Sequence, residues 1–204
     1  MTYPKNFENL IFELEKLPGV GQKMAVRIAM KLYKMKFNNE PLIQSIASLR
    51  DLKTCKLCGA ISDTDLCEIC SDSSRNSNQL MIVEEYLDLL SVESSKEFLG
   101  YYFILGGLIS PINGIMPDSL NIPALISRVK ELVGKSEKLE IIFSLNSNME
   151  GEGTIFYIQK ELEVEMLLDK VVLSKLALGI PRGADIDFVD SETLKFALRA
   201  RGGV

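Results

Sequence analysis

The 204-residue sequence has no histidine and only four cysteines. Without imidazole, thiolate is the natural ligand for a structural metal site. No stretch approaches 18 uninterrupted apolar residues, which argues against a membrane-spanning helix. The opening MTYPKNFENL lacks the apolar run of a secretory signal, so a reducing, cytoplasmic setting with free thiols is expected. Internal repeats, low-complexity tracts and a Walker A motif are all missing. What is present is a 47% hydrophobic composition, enough for a sizeable core, in a chain long enough for one large or two small domains.

The four cysteines fall in one stretch, CKLCGAISDTDLCEIC. Cys55 and Cys58 are separated by two residues, as are Cys67 and Cys70, and eight residues lie between the pairs. Two intervening residues let both sulfurs of a pair face one metal, and four thiolates form the closed tetrahedron that Zn2+ prefers. Gly59 supports the tight turn such a knuckle needs. Two disulfides or four ordinary core thiols are the competing readings; disulfides require an oxidising compartment, which nothing in the sequence suggests. One zinc ion per chain is expected, and its role is structural, because four protein ligands leave no open position.

The net charge of −5 conceals an asymmetry. Residues 1–54 carry nine Lys/Arg and five Asp/Glu, a net of +4, whereas residues 55–204 carry 14 and 23, a net of −9. A basic end on an acidic body suggests that the N-terminal part meets an anion. Phe7, Leu10, Ile11, Leu14 and Leu17 have helical spacing, and Pro18 ends that helix. The turn Leu17-Pro18-Gly19-Val20-Gly21 leads into a second helical pattern, Ala25, Ile28, Ala29, Leu32 and Tyr33. The first amides of that helix carry the positive end of its dipole. Gly19 and Gly21 let a phosphate come close, and Lys23 and Arg27 lie one turn apart beside it. These residues resemble a helix-hairpin-helix, which grips the sugar-phosphate backbone of DNA without reading bases. A plain helical corner with solvated lysines is the competing reading. Residues 42–52 give a further short helix with Leu42, Ile43, Ile46, Leu49 and Leu52 apolar.

After Cys70, SDSSRNSNQ reads as a polar linker. Strands are expected at 80–83, 101–105, 139–145 and 171–174, with an edge strand at 186–189. Helices are expected at 86–98, 124–133, 152–166 and 191–198, the last capped by Ser191. Alternation of this kind implies an α/β, mainly parallel sheet. Glu84 ends the first strand, on the edge where ligands gather in open α/β sheets, and Asp88 lies one turn into the next helix. Asn146, Glu150 and Glu152 follow the third strand. Carboxylates clustered there can hold Mg2+ for phosphoryl chemistry, and the arrangement resembles a Toprim domain. Catalytic Toprim members pair a Glu after the first strand with Asp-x-Asp after a later one; here that stretch is Ser144-Leu145-Asn146, so a noncatalytic Toprim used for partner contact is favoured.

The order of LPGVGQKMAVRIA, the C-x2-C-x8-C-x2-C stretch, LMIVEEYLDLLSVE, YYFILGGLISPINGI, LNSNMEGEGTIFYI and LALGIPRGADIDFVDSETLKFAL resembles the RecR family of bacterial recombination mediators over essentially the whole chain. The resemblance implies a helix-hairpin-helix region (1–54), a four-cysteine zinc finger (55–72), an α/β Toprim domain (79–174) and a C-terminal strand-helix tail (175–204). It implies a non-enzymatic DNA-repair protein acting with RecO and RecF to help load the RecA recombinase on single-stranded gaps. It also implies a homotetrameric ring able to encircle DNA. The family's DNA-contacting positions fall on Lys23 and Arg27, its zinc ligands on Cys55, Cys58, Cys67 and Cys70, and its acidic Toprim positions on Glu84 and Asp88, where RecO contact is implied. The chain departs from the family in having Tyr102-Phe103 for Tyr-His, Arg75-Asn76 for Arg-Asp, Ser174-Lys175 for Thr-Arg and Gly114-Ile115-Met116-Pro117 for Gly-Ile-Gly-Pro. Its Walker B-like character is weak. A Mg2+-dependent Toprim nuclease or primase is the competing function, and the missing Asp-x-Asp speaks against it.

Overall fold

A computed structural model of the chain describes residues 3–135, 138–177 and 179–202. The chain forms two compact units, Met1–Leu52 and Lys53–Val204. In the first, α1 (Lys5–Glu15) and α2 (Gln22–Met35) pack through Ile11, Ala25 and Ala29. Ala25 and Ala29 are fully buried and four residues apart, so α2 offers a flat strip that α1 approaches closely. The helix expected at 42–52 is α3 (Glu40–Ser48) followed by a 3-10 turn at Leu49–Asp51. Its apolar residues find no cover in the single chain: Leu42, Ile43, Ile46 and Leu49 are all exposed.

The second unit opens with a hairpin of β1 (Lys53–Thr54) and β2 (Ile61–Ser62), which frames the first cysteine pair. A single turn, α4 (Glu68–Ser71), carries the last. Then come β3 (Asn76–Val83), α5 (Tyr86–Ser95), β4 (Gly100–Ile104), α6 (Ile122–Val133), β5 (Leu139–Ser144), α7 (Met149–Val164), β6 (Val171–Lys175) and α8 (Ser191–Arg199). The sheet runs β4-β3-β5-β6, and all its pairings are parallel.

A parallel sheet is stable when both faces are covered, and the alternation of side chains along β3 shows how this is met. Leu80 and Ile82 join Tyr101, Phe103, Ile141 and Phe143 under α6 and α7. Met81 and Val83 point the other way, where Tyr102, Ile104, Leu89 of α5 and the cysteine knuckle cover them. On α6 the buried positions Ile122, Leu125, Ile126, Val129 and Leu132 make one stripe at helical spacing.

Several sequence expectations are corrected. The polar stretch after Cys70 is not all linker: β3 begins at Asn76, and Arg75 is anchored by donating from Nη1 to Gly100 O at 2.9 Å. Residues 186–189 do not form an edge strand; Ile186–Phe188 is a 3-10 turn that bonds locally, with Phe188 N donating to Asp185 O at 3.1 Å. The cap of α8 is Asp190 rather than Ser191, its Oδ1 accepting from the amides of Glu192 (3.0 Å) and Thr193 (2.9 Å). Of the C-terminal segment 175–204, residues 178, 203 and 204 lie outside the described residues. The helix expected from residue 152 begins at Met149, capped by Asn148, whose Oδ1 accepts from Gly151 N at 2.8 Å.

That cap depends on Gly151. A Cβ there would lie 1.9 Å from Asn146 O, whereas at Gly153 on the same helix it would meet nothing within 4 Å. Gly151→Ala should therefore destabilise the protein by about 1–3 kcal/mol, and Gly153→Ala should leave it unchanged or raise stability by up to about 1 kcal/mol. Urea melts of the two variants side by side check this; equal midpoints would mean that the α7 cap is built differently.

Candidate metal centre and nucleic-acid interface

The four sulfurs converge. Cys55, Cys58, Cys67 and Cys70 place their Sγ atoms within 4.8 Å of one another, and no two are joined by a disulfide. Zinc–sulfur bonds of about 2.3 Å in a tetrahedron give sulfur–sulfur edges of about 3.8 Å, and Cys58 and Cys67 stand 3.6 Å apart. The backbone prepares both pairs. Cys55 N donates to Ala60 O (2.7 Å) and Gly59 N to Cys55 O (3.0 Å), a turn that needs Gly59 at φ +81°. Cys67 caps α4, its Sγ accepting from Cys70 N at 3.4 Å. Cys58 Sγ accepts from Ala60 N at 3.5 Å.

Three of the thiols are buried and Cys70 is half-buried. A hydrogen bond from Cys70 and burial both push the Cys58 thiol up, and burial pushes Cys67 up to about 11. Burial opposes ionisation of Cys55 as well, but the amides of Cys67, Leu57 and Cys58 outweigh it and hold that thiol at about 7. Four thiols so close cannot all shed protons unless a cation balances them, and Zn2+ supplies that charge. Among the described residues this is the only set of three or more Cys, Asp or Glu side chains able to converge on one ion.

The hairpin residues come together on the first unit. Leu17–Val20 is a turn closed by Val20 N to Leu17 O at 3.1 Å, with Gly19 at φ +78°. Gly21 has ordinary φ, and a Cβ there would meet nothing within 4 Å, so the fold itself does not require glycine at that position. Gly21 O receives the amides of Met24 (2.9 Å) and Ala25 (3.0 Å) and so starts α2. Lys23 and Arg27 are exposed, and among the described residues neither is in an ion pair. They flank a groove that Glu8 and Glu15 of α1 also line.

The acidic residues gather only in part. Asn146 Nδ2 donates to Glu84 Oε2 at 2.8 Å. Asp88 has a local task, its Oδ2 accepting from Glu85 N at 2.8 Å in the capping box of α5. Glu150 accepts from Ser110 Oγ, and Glu152 pairs with Lys175 at 2.7 Å, so both lie in the first turn of α7 with other partners. Partial burial, then the neighbouring Asp88 and Glu85, raise the Glu84 carboxyl above its usual range.

A half-buried polar cluster went unnoticed in the sequence. Arg75 and Tyr102 both reach Glu93: Arg75 Nη2 donates to Oε1 and Tyr102 OH to Oε2 at 2.8 Å. Tyr102 is fully buried, and burial together with Glu93 pushes its hydroxyl well up. The signal was available, since a tyrosine in a buried apolar strand needs a partner for its hydroxyl.

Family models for a Toprim domain, for the RecR four-cysteine zinc finger domain and for the RecR helix-hairpin-helix match residues 78–174, 52–72 and 7–48. The chain is 36% identical to recombination protein RecR of Lactococcus lactis subsp. cremoris over 98% of both chains, and 39% identical to that of Tropheryma whipplei over the same share. Identity to recombination protein RecR of Mycobacterium tuberculosis is 40% over 95% of both. The chain belongs to the RecR family. The RecR architecture of helix-hairpin-helix, four-cysteine finger and Toprim domain accounts for the fold, and the cysteine quartet is the RecR finger's site for one zinc ion. No helix among the described residues is long and apolar enough to cross a membrane.

Two outcomes are expected. Purified protein should contain about one zinc per chain, and Cys67→Ser should lower both zinc content and melting temperature; a fully folded protein without zinc would end this assignment. The second concerns Glu84. A carboxyl raised in the folded state contributes stability below its ordinary 4.5 that is lost as pH rises through the raised value. Glu84→Gln keeps an acceptor for Asn146 and stays neutral, so it should melt slightly higher than wild type at pH 7, with the difference vanishing below about pH 4. A lower melting temperature at pH 7 would contradict this.

Proposed function

We propose that this chain is a noncatalytic, cytoplasmic DNA clamp and adaptor in recombinational repair, acting with RecO and RecF to help load RecA at single-stranded gaps. Residues 1–54 carry the DNA contact, 55–72 the zinc finger, 79–174 the Toprim platform and 175–204 the C-terminal segment. The observation that carries the reading is the hairpin. An open glycine, Gly21, precedes α2, and two exposed cations free of ion pairs among the described residues, Lys23 and Arg27, sit one turn apart on it. A helix N-terminus so furnished suits phosphate, and Gly19 shapes the turn that presents it.

The partner half of the reading assigns RecO to Glu84 and Asp88. Their negative surroundings disfavour nucleic acid and suit a basic protein. A ring of four copies agrees with the bare apolar side chains of α3, which a single chain leaves in water. The Asn146 side chain bonded to Glu84, where a catalytic Toprim has an aspartate stretch, supports the absence of phosphoryl chemistry. DNA cleavage or synthesis with Mg2+ that disappears in Glu84→Gln would replace this reading with an enzymatic one.

One hairpin offers few phosphate contacts, so useful affinity requires several on one DNA, as linked sites in a ring provide. Each neutralised phosphate of duplex DNA adds about −0.9 to the slope of log affinity against log salt. Lys23→Glu with Arg27→Glu should abolish binding while zinc content and light-scattering mass stay as in wild type. Unchanged affinity and salt slope in that variant would sink the hairpin assignment.

A further inference from the structure

We propose that the C-terminal edge of the sheet is a two-part docking surface for a basic protein segment, with Glu84 and Asp88 supplying charge and the bare side chains of Ile112 and Met149 supplying apolar anchors. This rests on the adaptor reading above, in which the same acidic pair meets a protein partner. Ile112 is 97% exposed and Met149 91%, the two most exposed large apolar side chains among the described residues. Neither sits on a slack segment. Ile112 lies in the 3-10 turn Pro111–Asn113, inside a bridge in which Ser110 N and Ile115 O, and Ile115 N and Ser110 O, are each 2.9 Å apart. Met149 is the first residue of α7.

The two anchors are tied together and to the acids. Buried Ser110 donates from Oγ to Glu150, next to Met149, and accepts from Asn113 Nδ2, next to Ile112, at 2.8 Å. Thr154 Oγ1, one turn on in α7, accepts from Ile109 N at 2.9 Å. Asn146, which donates from Nδ2 to Glu84 Oε2 at 2.8 Å, has its carbonyl oxygen 1.9 Å from where a Cβ on Gly151 would lie, so loop, helix start and strand end adjoin in one patch. An apolar side chain held in water on an ordered backbone gives the fold nothing, but it binds at low ordering cost when a partner covers it. Apolar anchors beside carboxylates that are in no ion pair among the described residues match the layout of a protein interface, with charge steering the approach and the anchors slowing departure. Phosphate backbone would be repelled by the same carboxylates.

The test uses the full-length chain and purified RecO, the partner named in the functional reading, with binding kinetics measured at several salt concentrations. Ile112→Ser with Met149→Ser should weaken RecO binding roughly ten- to a hundred-fold through faster dissociation, with the salt dependence kept. Glu84→Gln with Asp88→Asn, which retains acceptors for the α5 cap, should slow association and flatten the salt dependence. If the charge variant is impaired and the apolar variant binds like wild type, the anchor proposal is overturned while the adaptor reading stands. If neither changes RecO binding, both fall. If the apolar variant alone alters the light-scattering mass of the chain, Ile112 and Met149 pack against a second copy instead, and the proposal is again overturned.

Discussion

The second unit depends on a knuckle of thiols pressed against the side of a parallel sheet. Cys55, Cys58 and Cys67 belong to the same apolar cluster as Met81, Val83, Tyr102 and Ile104, so the metal site is not an appendage with a separate interior. The contact is also made by backbone. Ile104 N, at the outer edge of β4, donates to Cys58 O at 2.8 Å, and a Cβ at Gly59 would sit 3.4 Å from Ile104 O. The knuckle thus occupies part of an edge that would otherwise present an unpaired amide. Its glycine serves two requirements together: a positive φ for the thiol turn and a close approach to the strand.

A second dependence runs through Glu93. One carboxylate holds the segment leaving the knuckle, through Arg75, and the central residue of β4, through Tyr102. Arg75 also reaches Gly100 O, at the start of that strand. Arg75 and Glu93 are half-buried, and a charge partly withdrawn from water is held best by partners that neutralise and hydrogen-bond it; here each member of the trio supplies the others. The polar stretch after Cys70 therefore closes the finger onto the sheet through side chains that a linker would leave in solvent.

Much of this was legible in the residues. Cysteine spacing, the Pro18-Gly19 turn and the strand-helix alternation each follow from short-range rules, and apart from the 186–189 strand the expected helices and sheet strands sit within a few residues of their expected places. Where expectation failed, the deciding interaction was between side chains distant in sequence, or was a choice between adjacent polar residues. Asp190 displaced Ser191 as a cap because its two oxygens serve two amides and the Thr193 hydroxyl at once. The Ile186–Val189 run looks like a strand, but no neighbour among the described residues offers a ladder, and it closes on itself instead. The acidic residues were placed on the correct edge of the sheet, yet spacing gave no warning that Asp88 is occupied as a cap, Glu150 by Ser110 and Glu152 by Lys175. Arg75, Glu93 and Tyr102 are separated by up to 27 positions, and no local pattern links them.

The order of these parts along the chain has a bearing on how the protein is born. All four thiols lie within 16 consecutive residues and precede every strand of the main sheet. Closing so short a loop carries a small entropic cost, whereas β3 must wait for β5, some 60 residues later, before it has both neighbours. During synthesis the metal-bound turn is thus available before the sheet exists, and β4, the first strand to follow β3, emerges with its outer boundary already waiting. Zinc supply would then influence the yield of correctly assembled sheet at the ribosome, and not only the endurance of the finished molecule.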